Sequence, residues 1–537
     1  MATAMGTVME TTDIRPALSA VEPLGGGLAR ACQPYQAALL AGLILAGMSF
    51  QIQAQEAAAP RRAWSVTPRI SVSETLTDNV AVSAAGKGNE QITEITPGVS
   101  IRGESARLKG SLDYQLHELI YAQDSTRNQT QHTLNGQGTL EGIEKWLFVD
   151  ASAAISQQSI SAFGVQSPSN ASINANRTET SNFQLSPYVR GRLAGYADYE
   201  LRYRQLATRA KSSQASDMDV EEFLMTAKGG IGRSRLSWLM ESTWNNTDYT
   251  RGRATEAERL RAFLTWQGDP QWKASLIGGT ERNNYLSLEK ERKSTVGVGF
   301  DWTPNERTRL SMLKESRFFG HGHSLDFNYR LPLVAVAYSD SRDVSTQPNQ
   351  VQRGSLSATD LVDSLLSSLF PDPVVRADEV TRFFRVTGLS PNAMYDVGFL
   401  ASQVSVQRLR RLSLVTYGAR NAVTLSATES ERTSLNPVTS VFDDFALSPS
   451  IRQRGFSASW AYRLSPLSSV NLTASQQHSV SSSASNLDTK QKSFNLSYTT
   501  RLGNKTTASL ALRRTLFDSL ANPYSENEVV GTLTFLF

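Results

Sequence analysis

Five histidines, His117, His132, His321, His323 and His478, are the residues from which a general base would have to come in this 537-residue chain. A hydrolase built into a membrane barrel needs one of them close to a Ser or a carboxylate. No Gly-x-Ser-x-Gly elbow and no phosphate-binding glycine loop occurs. His117 falls on the polar face of its segment near Asp113, where a solvated histidine explains it more simply than a catalytic one. His321-Gly322-His323 offers two imidazoles, and two ligands without a carboxylate make a weak metal site. No enzyme activity, metal or other cofactor is expected. Arginine is the more informative type: Arg202, Arg204, Arg463, Arg501 and Arg513 all fall on polar faces. Arginines lining a lumen favour anionic solutes through paired hydrogen bonds to carboxylates or phosphates. Asp113, Asp198, Glu200 and Asp301 share that side, so an internal ion-pair lattice is the competing reading, and the abundance of acids favours it.

The elements that carry these residues have the period of strands. Phe456, Ala458, Trp460, Tyr462 and Leu464 share one face, and Ser457, Ser459, Ala461 and Arg463 the other. Phe494, Leu496 and Tyr498 oppose Asn495, Ser497, Thr499 and Arg501 in the same way. Val296, Val298, Phe300 and Trp302 oppose Gly297, Gly299 and Asp301. Alternation alone does not say whether the apolar face meets a core or a lipid.

The connections decide more. Tight turns at Ala194-Gly195, Arg233-Ser234, Asp269-Pro270, Pro304-Asn305, Leu331-Pro332, Gly418-Ala419-Arg420, Ser465-Pro466 and Gly503-Asn504 alternate with longer loops. Short turns on one rim and long loops on the other are the asymmetry of outer-membrane barrels. The chain is therefore expected to form an all-β, transmembrane antiparallel β-barrel over 66–537 with about 22 strands, within a range of about 16 to 24. Trp146, Trp238, Trp266, Trp272 and Trp302 cluster near the predicted periplasmic turns as an interfacial girdle would. The final strand places Leu533, Phe535 and Phe537 on one face, and Phe537 is the expected barrel-closing residue.

The start of the chain reads as a secretory signal over 1–54. Arg30 precedes the apolar run Ala37–Met48, and Ile52-Gln53-Ala54 offers a cleavage site. Residues 55–65 then form a short periplasmic segment, too short for a plug domain. Cys32 is the single cysteine and would leave with the signal, so disulfides, thiolate metal sites and cysteine nucleophiles are excluded from the mature chain. The net charge of +4 is small and indicates no nucleic-acid partner. Expected partners are outer-membrane lipid and the barrel-assembly machinery.

One stretch, 343–396, breaks the strand period. Leu361, Leu365 and Leu369 recur at the spacing of one helix face, with Val362, Leu366 and Phe370 beside them. Pro371-Asp372-Pro373 would end that helix, and Val380, Phe383 and Phe384 mark a second. By turn parity the insert leaves from the long-loop rim. It is either an extracellular decoration or a lumen constriction, since an exposed apolar helix face needs somewhere to pack.

Pro371-Asp372-Pro373-Val374-Val375-Arg376 with Val380, Phe383 and Gly388-Leu389 resembles the middle of an uncharacterised outer-membrane family. Phe318-Phe319-Gly320, Ala419–Leu425 and Leu147–Ala153 fit the same pattern. That family is associated with the PEP-CTERM/exosortase sorting system, and its genes lie with exopolysaccharide biosynthesis and export genes. The resemblance implies a passive, porin-like conduit or envelope component in polysaccharide secretion, with the polymer or export proteins as partners. A docking barrel for export machinery is the alternative it leaves, and a barrel hydrolase the more distant one. It supplies no functional residues.

Overall fold

The structure, a computed structural model, describes residues 64–84, 87–193, 195–232, 234–346, 398–435, 443–483 and 487–537, with Val362, Arg376, Glu379, Val380 and Phe383 between them. The expected signal, the residues before Trp64, and Leu361, Leu365 and Leu369 lie outside the described residues.

Strands follow one another along the chain. The first eight are β1 (Trp64–Thr77), β2 (Glu90–Glu104), β3 (Leu108–Tyr121), β4 (Gln129–Ile143), β5 (Leu147–Ser159), β6 (Arg177–Leu193), β7 (Ala197–Ala210) and β8 (Met218–Gly230). Then come β9 (Leu236–Tyr249), β10 (Thr255–Asp269), β11 (Trp272–Asn283), β12 (Glu291–Asn305), β13 (Thr308–Arg317), β14 (Gly320–Leu331) and β15 (Val334–Ser345). The last are β16 (Ser405–Tyr417), β17 (Asn421–Ser434), β18 (Ser450–Arg463), β19 (Ser468–Ser481), β20 (Thr489–Arg501), β21 (Thr506–Ser519) and β22 (Tyr524–Leu536). Each pairs antiparallel with the next, and β22 returns to β1 from Leu536 opposite Arg69 to Glu528 opposite Thr77. The sheet of 22 strands is thus closed, which leaves no unpaired edge. Phe537 extends the seam by donating its N–H to the Pro68 carbonyl at 3.0 Å.

The apolar face is the exposed one, the inverse of a soluble sandwich. Phe456 is 55% exposed while its neighbour Ser457 is 7% exposed. Val296, Val298, Phe300, Phe494, Leu496, Leu533 and Phe535 likewise face outward. From Phe456 to Leu464 this band is roughly 20 Å tall for strands tilted as in outer-membrane barrels, close to the apolar height such barrels present. The fold is that of a transmembrane β-barrel. Trp146, Trp266 and Trp302 stand exposed beside the short turns, and Trp266 meets Trp272 edge-on at 5.1 Å. Turn parity follows the sequence reading: 270–271, 306–307 and 332–333 are short, while 160–176, 346–404 and 435–449 leave from the opposite rim. Gly195 and Gly232 adopt φ of +78° and +58° in two short turns, a region glycine enters without penalty.

Candidate functional site in the lumen

The inward face is polar, and many of its charges are paired. Arg202 on β7 is buried between Asp150 at 2.7 Å and Glu200 at 2.9 Å, with its guanidinium 3.8 Å from the centre of the Tyr188 ring. Arg204 pairs with Glu222, and Arg513 with Glu528 at 2.9 Å. Further round the wall Arg261 joins Glu241 and Glu315, Arg317 joins Glu281 and Asp343, and Arg69 grips Asp113. Three of the five arginines singled out in the sequence thus belong to an ion-pair lattice. Arg463 and Arg501 sit near the short-turn rim and carry no side-chain ion pair among the described residues.

His117 also faces inward, but its partner is Glu94 at 2.6 Å and not Asp113, which Arg69 occupies. Glu94 stands opposite Leu119 on the β2–β3 ladder, so it reaches His117 diagonally from the neighbouring strand. Thr133 stands 3.3 Å from the other ring nitrogen, so Thr133, His117 and Glu94 line up in the order nucleophile, base and acid. The β2–β3 ladder is interrupted beside this trio, between Ile95 opposite Glu118 and Gly98 opposite Gln115. His323 lies on the outer wall, 3.1 Å from Asp340.

The long-loop rim carries loops that are tied to the wall and to one another. The segment 160–176 crosses from β5–β6 toward β22. Tyr121 donates its hydroxyl to the Ala171 carbonyl at 2.7 Å, Ser172 donates to Glu526 at 3.0 Å, and Tyr524 donates to the Gln166 carbonyl. A short helix, α1 (Asp444–Leu447), carries two adjacent carboxylates that fasten different loops. Asp443 accepts from the Ser402 hydroxyl and the Gln403 amide, each at 2.9 Å. Asp444 accepts from the Ser161 hydroxyl and the Ala162 N–H, each at 2.6 Å. Burial pushes the Asp444 carboxyl up to about 6, against the pull of those two donors. Phe399, Phe445, Ile451 and Ala162 pack around the clasp. In the sequence the one signal of this clasp is an acidic pair, Asp443-Asp444, directly before Phe445.

The insert reaches the other end. It leaves β15 and rejoins β16 at the long-loop rim, yet Val362, Val380 and Phe383 are buried among Ala335, Ala337, Val415, Ala422 and Ala461. These are inward residues of β15–β18 beside the short turns. The Phe383 ring packs 5.3 Å from that of Tyr417, the last residue of β16, tilted by 56°. The described part of the insert therefore lies along the lumen wall and is helical at these positions. Small residues on that arc, four alanines and a valine, leave the room it occupies.

No family model and no curated protein matches the chain. Among solved structures it is similar to the siderophore receptor PirA from Acinetobacter baumannii, at 7% identity and a TM-score of 0.46, over 88% of this chain and 80% of that one. It is also similar to the FrpB iron transporter from Neisseria meningitidis, at 8% identity and a TM-score of 0.47, over 88% and 82% of the two chains.

Proposed function

We propose that this chain is an outer-membrane, non-enzymatic conduit serving exopolysaccharide export, held shut by its own β15–β16 insert. The observation that carries the reading is the docking of Val362, Val380 and Phe383 inside the lumen at the short-turn end. A segment that enters a barrel from one rim and packs at the other is placed to obstruct the passage, and apolar contacts without covalent ties can release. The polar wall suits a hydrated polymer, and its paired charges offer no strong site to trap one. The polysaccharide assignment rests on the resemblance in Pro371–Arg376 and Gly388-Leu389.

The test has two arms. Deleting the gene and measuring secreted polysaccharide addresses the pathway: secretion at the normal level rejects the export reading. Planar-bilayer recordings address the gate: the intact barrel should be quiet and a deletion of residues 355–390 should open a large steady conductance. Lost secretion together with a barrel that stays silent after that deletion points to a docking barrel for export machinery.

A further inference from the structure

We propose that one half of the barrel's outer wall binds the phosphate groups of outer-leaflet glycolipids. A basic charge pattern lies immediately beyond the apolar band on the long-loop side. On β16 the outward residues run Leu414, Leu412, Arg410, Arg408; on β18 they run Trp460, Ala458, Phe456, Arg454, Arg452; on β20 they run Leu496, Phe494, Lys492, Lys490. Strand register joins these into rows. Lys314 lies opposite His323, His323 opposite Arg342, Arg342 opposite Arg408, Arg408 opposite Glu431 and Glu431 opposite Arg452. A second row runs Asp340, Arg410, Glu429, Arg454, His478 and Lys490.

Three carboxylates hold the centre of this surface without neutralising it. Asp340 meets Arg408 at 2.8 Å and Arg410 at 3.5 Å. Glu429 meets Arg410 at 2.8 Å and Arg454 at 2.9 Å, and Glu431 meets Arg452 at 3.3 Å. Lys314, Arg342, Lys490 and Lys492 flank them without an ion pair among the described residues, and Asp518 lies opposite Lys490 at the end of the second row. The Arg452 and Arg454 side chains are 45% and 49% exposed, so their remaining donors are open to a ligand. Ion-paired guanidiniums held on rigid strands are pre-aimed, and guanidinium forks match phosphate oxygens in pairs. The opposite half of the wall is the more acidic at the corresponding level: Glu74, Glu118, Glu179, Glu221, Asp248 and Glu258 stand there, with Lys290 paired to Glu258 at 3.0 Å and Arg209 to Asp219 at 2.7 Å. Position at the edge of the apolar band, where acyl chains end and headgroups begin, selects a lipid phosphate as the occupant.

The purified barrel in detergent would be titrated with a bis-phosphorylated glycolipid and with the same glycolipid after dephosphorylation, bound copies being counted by native mass spectrometry. The wild type should hold the phosphorylated form at least tenfold more tightly. Replacing Lys314, Arg342, Lys490 and Lys492 together by Gln should remove most of that preference, while Glu118→Gln, Glu179→Gln and Glu221→Gln together should keep it. Inorganic phosphate at the same concentration should not displace the glycolipid; displacement would make free phosphate the ligand and overturn the lipid assignment. Equal binding of the two glycolipids, or a preference undiminished in the quadruple variant, also overturns it. So does a lipid-independent dimer that the quadruple variant loses, because the acidic half of a second copy would then be the occupant. If the quadruple variant does not fold, the wild type decides: raising salt from about 0.1 to about 0.5 M should erase the preference, since exposed charges are screened over that range, and a preference that survives rejects the proposal.

Discussion

The ring of Phe383 lies 5.3 Å from that of Tyr417, which ties a segment entering at the long-loop rim to a wall residue beside a short turn. The contact is apolar on both sides and includes Val380 and Val362. Phe383→Ala removes roughly 2 kcal/mol of apolar burial, which multiplies the undocked population about thirtyfold. Single-channel recordings should show that increase as more frequent openings. Traces as quiet as the wild type would mean that the docked insert is not what blocks conduction.

Arg202 is the best-connected of the lumen arginines, with two carboxylates and the Tyr188 face around it. Arg202→Gln leaves Asp150 and Glu200 facing one another without their cation. Both acids are about a third exposed, so solvent softens the loss to about 1–3 kcal/mol. Arg463→Gln and Arg501→Gln, which break no ion pair, should stay within about 0.5 kcal/mol of the wild type. The temperature at which the compact gel band is lost on heating reads the difference. Equal shifts for all three would remove the distinction between lattice and unpaired arginines.

Strand number and rim assignment were legible because each hairpin writes a local signal. Asp269-Pro270 and Leu331-Pro332 announce a reversal within a few residues, and Phe456–Leu464 alternates regardless of what lies across the lumen. The exceptions are local too: turns 105–107 and 144–146 lack Pro and were not singled out. The destination of the insert was not legible. Val362 and Phe383 have an apolar helical period that fits any apolar surface, and the surface they use is assembled from four alanines and a valine on four strands. His117 shows the same limit, since choosing Glu94 over Asp113 depends on register between strands. The outer basic rows were hidden because Arg408, Arg452 and Lys490 are distant in sequence and meet only through pairing.

Phe537 closes the seam with one hydrogen bond, from its N–H to Pro68, and with a ring that is 66% exposed on the apolar face. Removing it should cost about 1 kcal/mol from the hydrogen bond and leave the finished barrel nearly as heat-resistant as before. The larger effect falls on assembly, because the β1–β22 pairing joins the most distant parts of the chain. Refolding into lipid vesicles, followed by the heat-modifiable band, should yield less folded protein at matched times. Insertion at the wild-type rate would show that Phe537 has no part in closing the barrel.

The Asp444 clasp should depend on pH with a definite sign. Burial raises its carboxyl from the ordinary aspartate value of 3.8 to about 6, so the clasped loop keeps a proton that the released loop gives up. The clasp contribution is complete below the ordinary aspartate value and is lost as pH rises through about 6. Loop 160–176 should therefore be held more firmly at pH 5 than at pH 8. Amide exchange at Ala162, whose N–H donates to Asp444, reports this once the intrinsic rate is corrected for. Asp444→Asn retains an acceptor for Ala162 and offers a donor to Ser161 but cannot ionise, so its protection should be flat across the same range. A step near pH 6 that persists in the Asn variant, or stronger protection in the wild type at pH 8, would assign the pH response to another group.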